Sequence, residues 1–343
     1  MYYLGIDCHK RFSYVTALDE AGQVKFKGKL GNSEEDFKAL IERLGDKCKA
    51  TIETGYDWGI MHDMLQRLGV DVILAHAQKV KLITQSPIKT DKRDSMILAK
   101  LLKTDMIPQV YAPTKEIRMK KAVLRERMFY VKIRTMLKNK VHKVLYRNNI
   151  VVDGYSDAFG KAGRQYISEA KLPETEKQIL DNQLDSLDVV NSKIKIMEAS
   201  AKKETKENRY VELIQTLPGF GEVLSRVIAL EIVDINRFAN AKKLASYSGV
   251  VPSEHSSSDS IHRGQIIKSC NKHIKEALVE GAWASIRGSA YFRALYENVK
   301  SRRGGNKAIV AVARQIAEII FHMLKEDRPF VERYVPNTIM AAL

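Results

Sequence analysis

Cysteine is scarce in this sequence: Cys8, Cys48 and Cys270 are odd in number, far apart, and outside any Cys-x-x-Cys or paired-histidine spacing. That excludes a disulfide framework and gives no support to a zinc site. Long apolar runs are also missing. Even the most apolar stretch, AIVAVARQIAEIIFHML, is interrupted by Arg314, Gln315 and Glu318, so no segment reaches the length that crosses a membrane as a helix. No basic-then-apolar leader opens the chain, because YYLGID runs directly into a charged turn. The expectation is a cytoplasmic protein with no membrane partner. The last deficit is in negative charge: 41 acidic residues stand against 57 basic ones, a net charge of +16.

What is present is enough for two or three domains. The chain has 343 residues, 45% hydrophobic and 29% charged, an ordinary globular balance. The basic excess is concentrated, since Thr114 to Ile150 holds 12 Lys or Arg and 2 Glu. A solvated helix could carry such a surface, but charge of one sign at this density repels itself unless a polyanion is nearby. Nucleic acid is therefore the expected partner, gripped through its phosphates by counterion release. Candidate contacts are Lys115, Arg118, Lys120, Lys121, Arg125, Arg127, Lys132, Arg134, Lys138 and Lys140, with Arg263 and Lys268 further along.

Residues 1–112 read as α/β. YYLGIDCH, SYVTALDE and VKFKGKLG are three short strand-like runs, followed by a helix (SEEDFKALIERL), a strand (KATIETG), a helix (DWGIMHDMLQRLG) and a strand (VDVILA). Three antiparallel strands followed by helix, strand, helix, strand is the order of a ribonuclease H-like domain, not of a doubly wound nucleotide fold. Residues 113–207 read as two long charged helices with apolar residues at steps of three and four, from Ile117 to Val144 and from Leu180 to Met197. That pattern predicts an antiparallel coiled coil with VVDGYSDAFGKAG as its tip or connector. Residues 208–343 read as a mainly helical third unit of short helices and one serine-rich loop.

The chemistry-bearing residues are carboxylates. Asp7 ends the apolar strand YLGI, and Glu53 holds the corresponding place after ATI. A carboxylate in an apolar strand is costly to bury unless paired or metal-bound. Asp91 and Asp94 share one face of a helix start in KTDKRDSMILAKLL, where the helix dipole alone would also favour them. Together the four would form an all-oxygen site of the kind Mg2+ prefers when it binds phosphate. LPGFG, before an apolar-periodic helix, fits either a phosphate-binding helix hairpin or a plain connector. The segment VPSEHSSSDSIHRGQIIKS offers hydroxyls among cations, and Ser-rich loops of this kind are ordinarily solvated turns.

These motifs in this order, GIDCHK, IETG, KTDKRDSMILAKLL, LPGFGEVLSRVIALEI, LASYSGVVPSEHSSSDSIHRGQIIKSCNKHIKEALVEGAW and GGNKAIVAVARQIA, resemble the DEDD-motif transposases of the insertion sequence 110 family, which include Piv-type DNA invertases. The resemblance covers essentially the whole chain. It implies a RuvC-like domain holding Mg2+ through Asp7, Glu53, Asp91 and Asp94, a coiled-coil insert, and a transposase domain whose serine attacks DNA to form a phosphoserine intermediate. The nucleophile falls at Ser257, with Ser256 the next choice. It also implies a bacterial or archaeal recombinase acting at the nucleoid, guided by a structured RNA from its own element, and working as dimers that join into a tetramer.

Two positions depart from the family: Ser258 and Cys270 stand where glycine is usual, so the loop's path could differ. Three rival readings remain at this level. A RuvC-like endonuclease would cut by metal-activated water, a sugar-kinase-like ATPase would need glycine-rich phosphate loops absent from the first hundred residues, and a binding scaffold would cut nothing.

Overall fold

A computed structural model describes residues 1–45, 47–55, 58–84, 90–257 and 260–332, with the side chains of 254–263 outside the description. The chain divides into two compact units, Met1–Lys115 and Glu116–Leu343.

The first unit contains β1 (Tyr2–Cys8), β2 (Phe12–Leu18), β3 (Val24–Gly31), α1 (Glu34–Leu44), β4 (Cys48–Glu53), α2 (Trp58–Arg67), β5 (Asp71–Ala75), α3 (Ala77–Thr84), α4 (Asp91–Lys103) and β6 (Gln109–Val110). They build one sheet in the order β3-β2-β1-β4-β5-β6. Strand β2 runs antiparallel to β1 and β3, the strands β1, β4 and β5 are parallel, and β6 is an antiparallel edge. The five strands and two helices expected from the pattern all form. The short α3 and the two-residue β6 carry too few apolar positions to announce themselves.

Alternation along the strands sorts the two faces. Leu4 and Ile6 of β1 and Ala50 and Ile52 of β4 are fully buried against Phe37 and Leu40 of α1 and Met61, Met64 and Leu65 of α2. On the other face Gly5 pairs with Thr16 and Thr51, and α4 lies across it. A Cβ on Gly5 would stand 2.1 Å from the Ser95 carbonyl oxygen and 2.3 Å from the Ala99 nitrogen, so the helix backbone touches the strand backbone. Ser95 Oγ and Thr16 Oγ1 share a buried hydrogen bond of 2.8 Å that fixes the register of α4 on the sheet.

The second unit begins with α5 (Lys115–Arg147), α6 (Lys161–Ser168) and α7 (Glu174–Glu204). The long helices run antiparallel, because Arg127 pairs with Glu198 near one end and Arg147 with Glu176 near the other. At the tip Val141, Val144 and Leu145 enclose a small core with Ile167, Leu180 and Leu184, so the connector holds a helix of its own. At the base Leu124 and Ala201 join the main core instead.

That core belongs to α8 (Arg209–Gln215), α9 (Glu222–Ile232), α10 (Ala241–Tyr247), the hairpin β7 (Pro252–Ser257) and β8 (Ser260–Ile266), α11 (Lys272–Gly288), α12 (Ala290–Arg303) and α13 (Gly305–Lys325). Helix α13 is its axis, with Ala308, Val312, Ala313, Ile316, Ala317 and Ile320 all buried. Short helices were expected here, but α11 and α13 run 17 and 21 residues, and Gly281 lies inside α11. Its missing side chain receives the Phe220 ring, which a Cβ would meet at 2.2 Å.

Adding a methyl group to Gly5 tests the contact between α4 and β1. Gly5→Ala should lower the stability of the full chain by about 1–3 kcal/mol in urea unfolding, the usual cost of overpacking a tight core. Gly28→Ala is the control: its nearest neighbour would be a Phe26 ring carbon at 3.5 Å, and the midpoint should hardly move.

Candidate active site

The contact at Gly5 sets the geometry of the acidic residues. Asp7 is two residues on, so it projects from the same face, toward the start of α4. Asp91 opens that helix. The two carboxylates and His9 place one ligand atom each within 4.8 Å of one another. His9 Nε2 lies 3.4 Å from Asp7 Oδ2 and 3.3 Å from Asp91 Oδ2. The three side chains are partly exposed, so an ion or a phosphate can reach them.

Glu53 and Asp94 are outside this group, on the same two elements or beside them. Ile6 and Ile52 are paired on adjacent parallel strands, so Glu53 follows beside Asp7 on the same face. Asp94 is one helical turn beyond Asp91, and its backbone N–H donates to the Thr90 carbonyl at 2.9 Å. The structure therefore brings Asp7 and Asp91 together directly, and neither Glu53 nor Asp94 belongs to that cluster. The pattern of four carboxylates overlooked His9. Its signal was available in GIDCHK: a histidine two residues after a strand-end aspartate.

Asp7, His9 and Asp91 are a chemically suitable set for a divalent cation. Two carboxylates supply charge and oxygen ligands, and a buried imidazole nitrogen without a hydrogen-bond partner among the described residues faces both of them.

In the second unit, the expected serine loop is a two-stranded hairpin. Its backbone pairs Ser256 with Ile261 and Ser257 with Ser260, so Ser257 is at the tip. The side chains of Ser257, Ser256 and Arg263 lie outside the described residues, as does Ser258. Lys268, past the end of β8, is exposed. The hairpin's root is firmly held. Ile267 N–H donates to the Val251 carbonyl at 3.2 Å, and Asn271 N–H to that of Tyr247 at 2.9 Å. Cys270, one of the departures from glycine, packs its sulfur against Gly249, whose φ of +68° and lack of a side chain make the room. LPGFG is a packing turn: Gly219, at φ +87°, abuts Ala284 and Ser285, and Ser285 Oγ donates to the Pro218 carbonyl at 2.5 Å.

The basic helix α5 divides its charges. Lys121 is 7% exposed and pairs with Glu231, itself 3% exposed, at 3.2 Å. Arg125 donates to the same carboxylate through Nε and Nη2 at 2.9 and 2.7 Å, and Asn271 Nδ2 adds a bond of 2.9 Å. Burial pushes the Glu231 carboxyl up, but Lys121, Arg125 and Asn271 outweigh it and hold the group below its ordinary value. Lys121 thus faces inward and is corrected from a phosphate contact to a structural one. Lys120, Arg127 and Lys132 pair with Glu116, Glu198 and Glu276. Lys138 sits 4.6 Å from the Phe159 ring centroid. Lys115, Arg134 and Lys140 form no ion pair among the described residues, nor does Lys143. Arg118 lies in the first turn of the helix, partly exposed.

The description "Transposase IS116/IS110/IS902 family" matches residues 211–297, from α8 through the hairpin into α12. The IS110 DEDD model, described as "Transposase", matches residues 4–149, the acidic unit and all of α5. The chain belongs to the IS110 family of transposases. It is similar over 337 residues to the transposase for insertion sequence element IS1111A of Coxiella burnetii, at 25% identity, covering 95% of this chain and 90% of that one. A probable family 20 transposase of Pseudomonas aeruginosa is 24% identical over 94% of this chain and 97% of its own. The pilin gene-inverting protein of Moraxella bovis is 26% identical over 80% and 77%. This transposase is accordingly a DNA recombinase, and none of its described helices is long and apolar enough to cross a membrane.

Removing one member of the buried charge group should unmask its cost. Glu231→Ala leaves Lys121 buried without a counter-charge and should destabilise the transposase by about 3–5 kcal/mol. Combining it with Lys121→Met should recover part of that loss in the same urea titration.

Proposed function

We propose that this transposase cuts and rejoins DNA by a divalent-cation-dependent acidic site acting with a serine of the hairpin. The observation that carries the reading is the apposition of Asp7 and Asp91, from separate elements, beside the close contact of α4 with β1. The strand order β3-β2-β1-β4-β5 supports a ribonuclease H-like, RuvC-like unit around it. Division into residues 1–112, 113–207 and 208–343 belongs to the same proposal.

Asp7 and Asp91 would hold the cation, with Glu53 and Asp94 completing its surroundings. The cation, Mg2+ in the simplest case, would supply charge neutralisation for the phosphate under attack. Ser257 is the nucleophile. Its Oγ forms a bond to phosphorus as the bond from phosphorus to the leaving sugar oxygen breaks, and the hydroxyl proton is passed to a base while the leaving oxygen gains one. The phosphoserine is resolved when the hydroxyl of the other strand attacks it and the serine leaves. Energy of the original ester is kept in the covalent link, so rejoining needs no external donor.

The basic helix α5 contributes backbone contacts that position nucleic acid without reading its sequence. Sequence choice is assigned to a structured guide RNA encoded by the element, pairing with both DNA partners, and the active assembly is a tetramer of two dimers. The family membership supports this part. The setting is the cytoplasm of a bacterium or archaeon.

The test uses the full chain with its element ends and flanking non-coding segment in a plasmid recombination assay. Asp91→Ala and Asp7→Ala should each abolish strand cleavage, and Ser257→Ala should abolish both cleavage and the protein–DNA adduct resolved on a denaturing gel. Cleavage that survives Ser257→Ala would replace the serine mechanism with attack by water, as in a RuvC-like endonuclease. Separately, converting Arg134, Lys140 and Lys143 to Gln should flatten the plot of log affinity against log salt by about 2–3 units of slope, roughly one per lost phosphate contact.

A further inference from the structure

We propose that His9 is a nitrogen ligand in the acidic site and that it biases the site toward Mn2+ over Mg2+. This rests on the reading of Asp7 and Asp91 as cation ligands and goes past it, since a four-carboxylate site would be all oxygen.

His9 is built into its position. It follows β1 in the tight link to β2, where its backbone N–H donates to the Phe12 carbonyl at 3.0 Å. Its own carbonyl accepts from Asn32 Nδ2 at 2.7 Å, and Asn32 is held in turn by Ser13 Oγ at 2.7 Å. The imidazole lies against the Phe12 ring, centroids 4.8 Å apart, and Lys29 Nζ stands 4.5 Å from the same ring's centroid. Backbone and ring are both anchored, so the aim of Nε2 is not a chance of rotamer.

That atom is buried and makes no hydrogen bond among the described residues. A buried polar atom left this way calls for a reason, and an ion is one of the standard ones. Its surroundings supply it. Ligand atoms on adjacent corners of an octahedron of radius about 2.1 Å lie roughly 3 Å apart. Nε2 is 3.4 Å and 3.3 Å from the two Oδ2 atoms, and one ligand atom from each of the three residues lies within 4.8 Å of the others, so the three donors need only contract slightly about one ion.

The donor set then decides the metal. Mg2+ is hard, takes oxygen and gains little from imidazole, whereas Mn2+ accepts carboxylate and imidazole together. A nitrogen at this corner therefore strengthens Mn2+ binding more than Mg2+ binding.

The experiment is a Mn2+ titration of the full chain followed by electron paramagnetic resonance, with Mg2+ competition, on the wild type, His9→Ala and Asp7→Asn. Pulsed spectra of the wild type should show coupling of the bound Mn2+ to a nitrogen nucleus, and this measurement depends on no variant. His9→Ala should lose that coupling and weaken Mn2+ at least about tenfold, since even residues that merely support a metal ligand are worth about 10–100-fold. Its Mg2+ affinity should change less, narrowing the ratio between the ions. A wild type that binds Mn2+ with no nitrogen coupling, or a His9→Ala chain that binds it as tightly as before, overturns the proposal and leaves the carboxylate site standing. Mn2+ binding that is absent, or untouched by Asp7→Asn, removes the acidic-site reading itself and His9's role with it.

Discussion

Helix α4 rests on β1 with no layer of side chains between them, and the acidic site follows from that contact. Two elements packed through ordinary side chains stand about 10 Å apart, and residues at their ends would face each other across that gap. At Gly5 the gap closes. Ser95 occupies the space a side chain would need, and its hydroxyl is tied to Thr16 on the neighbouring strand. The helix therefore cannot slide, and its first residue, Asp91, is delivered to the face on which Asp7 emerges. Burying Leu4 and Ile6 on the opposite face completes the constraint, because it fixes which side of β1 Asp7 can occupy.

The second unit uses a different device for the same end. Glu231, deep in the helical core, receives Lys121 and Arg125 from α5 and Asn271 from the start of α11. Desolvating the Lys121 and Glu231 charges is unfavourable unless both are partnered, so the arrangement tolerates one relative placement of these helices and penalises others. Asn271 also caps α11 by accepting from the backbone of His273 and Ile274, and donates to Tyr247 Oη. Tyr247 and Asn271 close the chain at either side of the hairpin. One polar cluster thus connects the long basic helix to the base of the segment that carries the serines.

Much of this was legible beforehand, for identifiable reasons. The strand-like run YYLGIDCH and the helical spacing of SEEDFKALIERL are local signals that tertiary contacts merely reinforce. Asp7, Glu53, Asp91 and Asp94 could be chosen because carboxylates beside apolar strands, or paired in a first helical turn, are conspicuous. What was not legible depends on contacts distant in sequence. Nothing local marks Gly5 as the seat of α4, since the atoms it must avoid are ninety residues away. The same holds for Gly281, whose role in seating the Phe220 ring rests on a contact sixty residues away. His9 was passed over because a site imagined from carboxylates alone has no place for an imidazole.

The basic helix shows the difference between counting charge and locating it. Net charge treats its twelve Lys and Arg residues alike. The structure grades them along the helix. Near the base Lys121 is occupied by a buried carboxylate and could bind a phosphate only by abandoning it, which the low polarity of the core makes costly, while Arg125 holds the same carboxylate from the surface. Further out, pairs such as Lys132 with Glu276 are 60% and 43% exposed and hold each other weakly, so a phosphate can take the place of the glutamate at little cost. Beyond them Arg134, Lys140 and Lys143 face solvent or its margin with no acid paired to them among the described residues. Affinity for a polyanion should therefore rise from the base of the hairpin toward its outer half, and the same helix can anchor the fold at one end while gripping nucleic acid at the other.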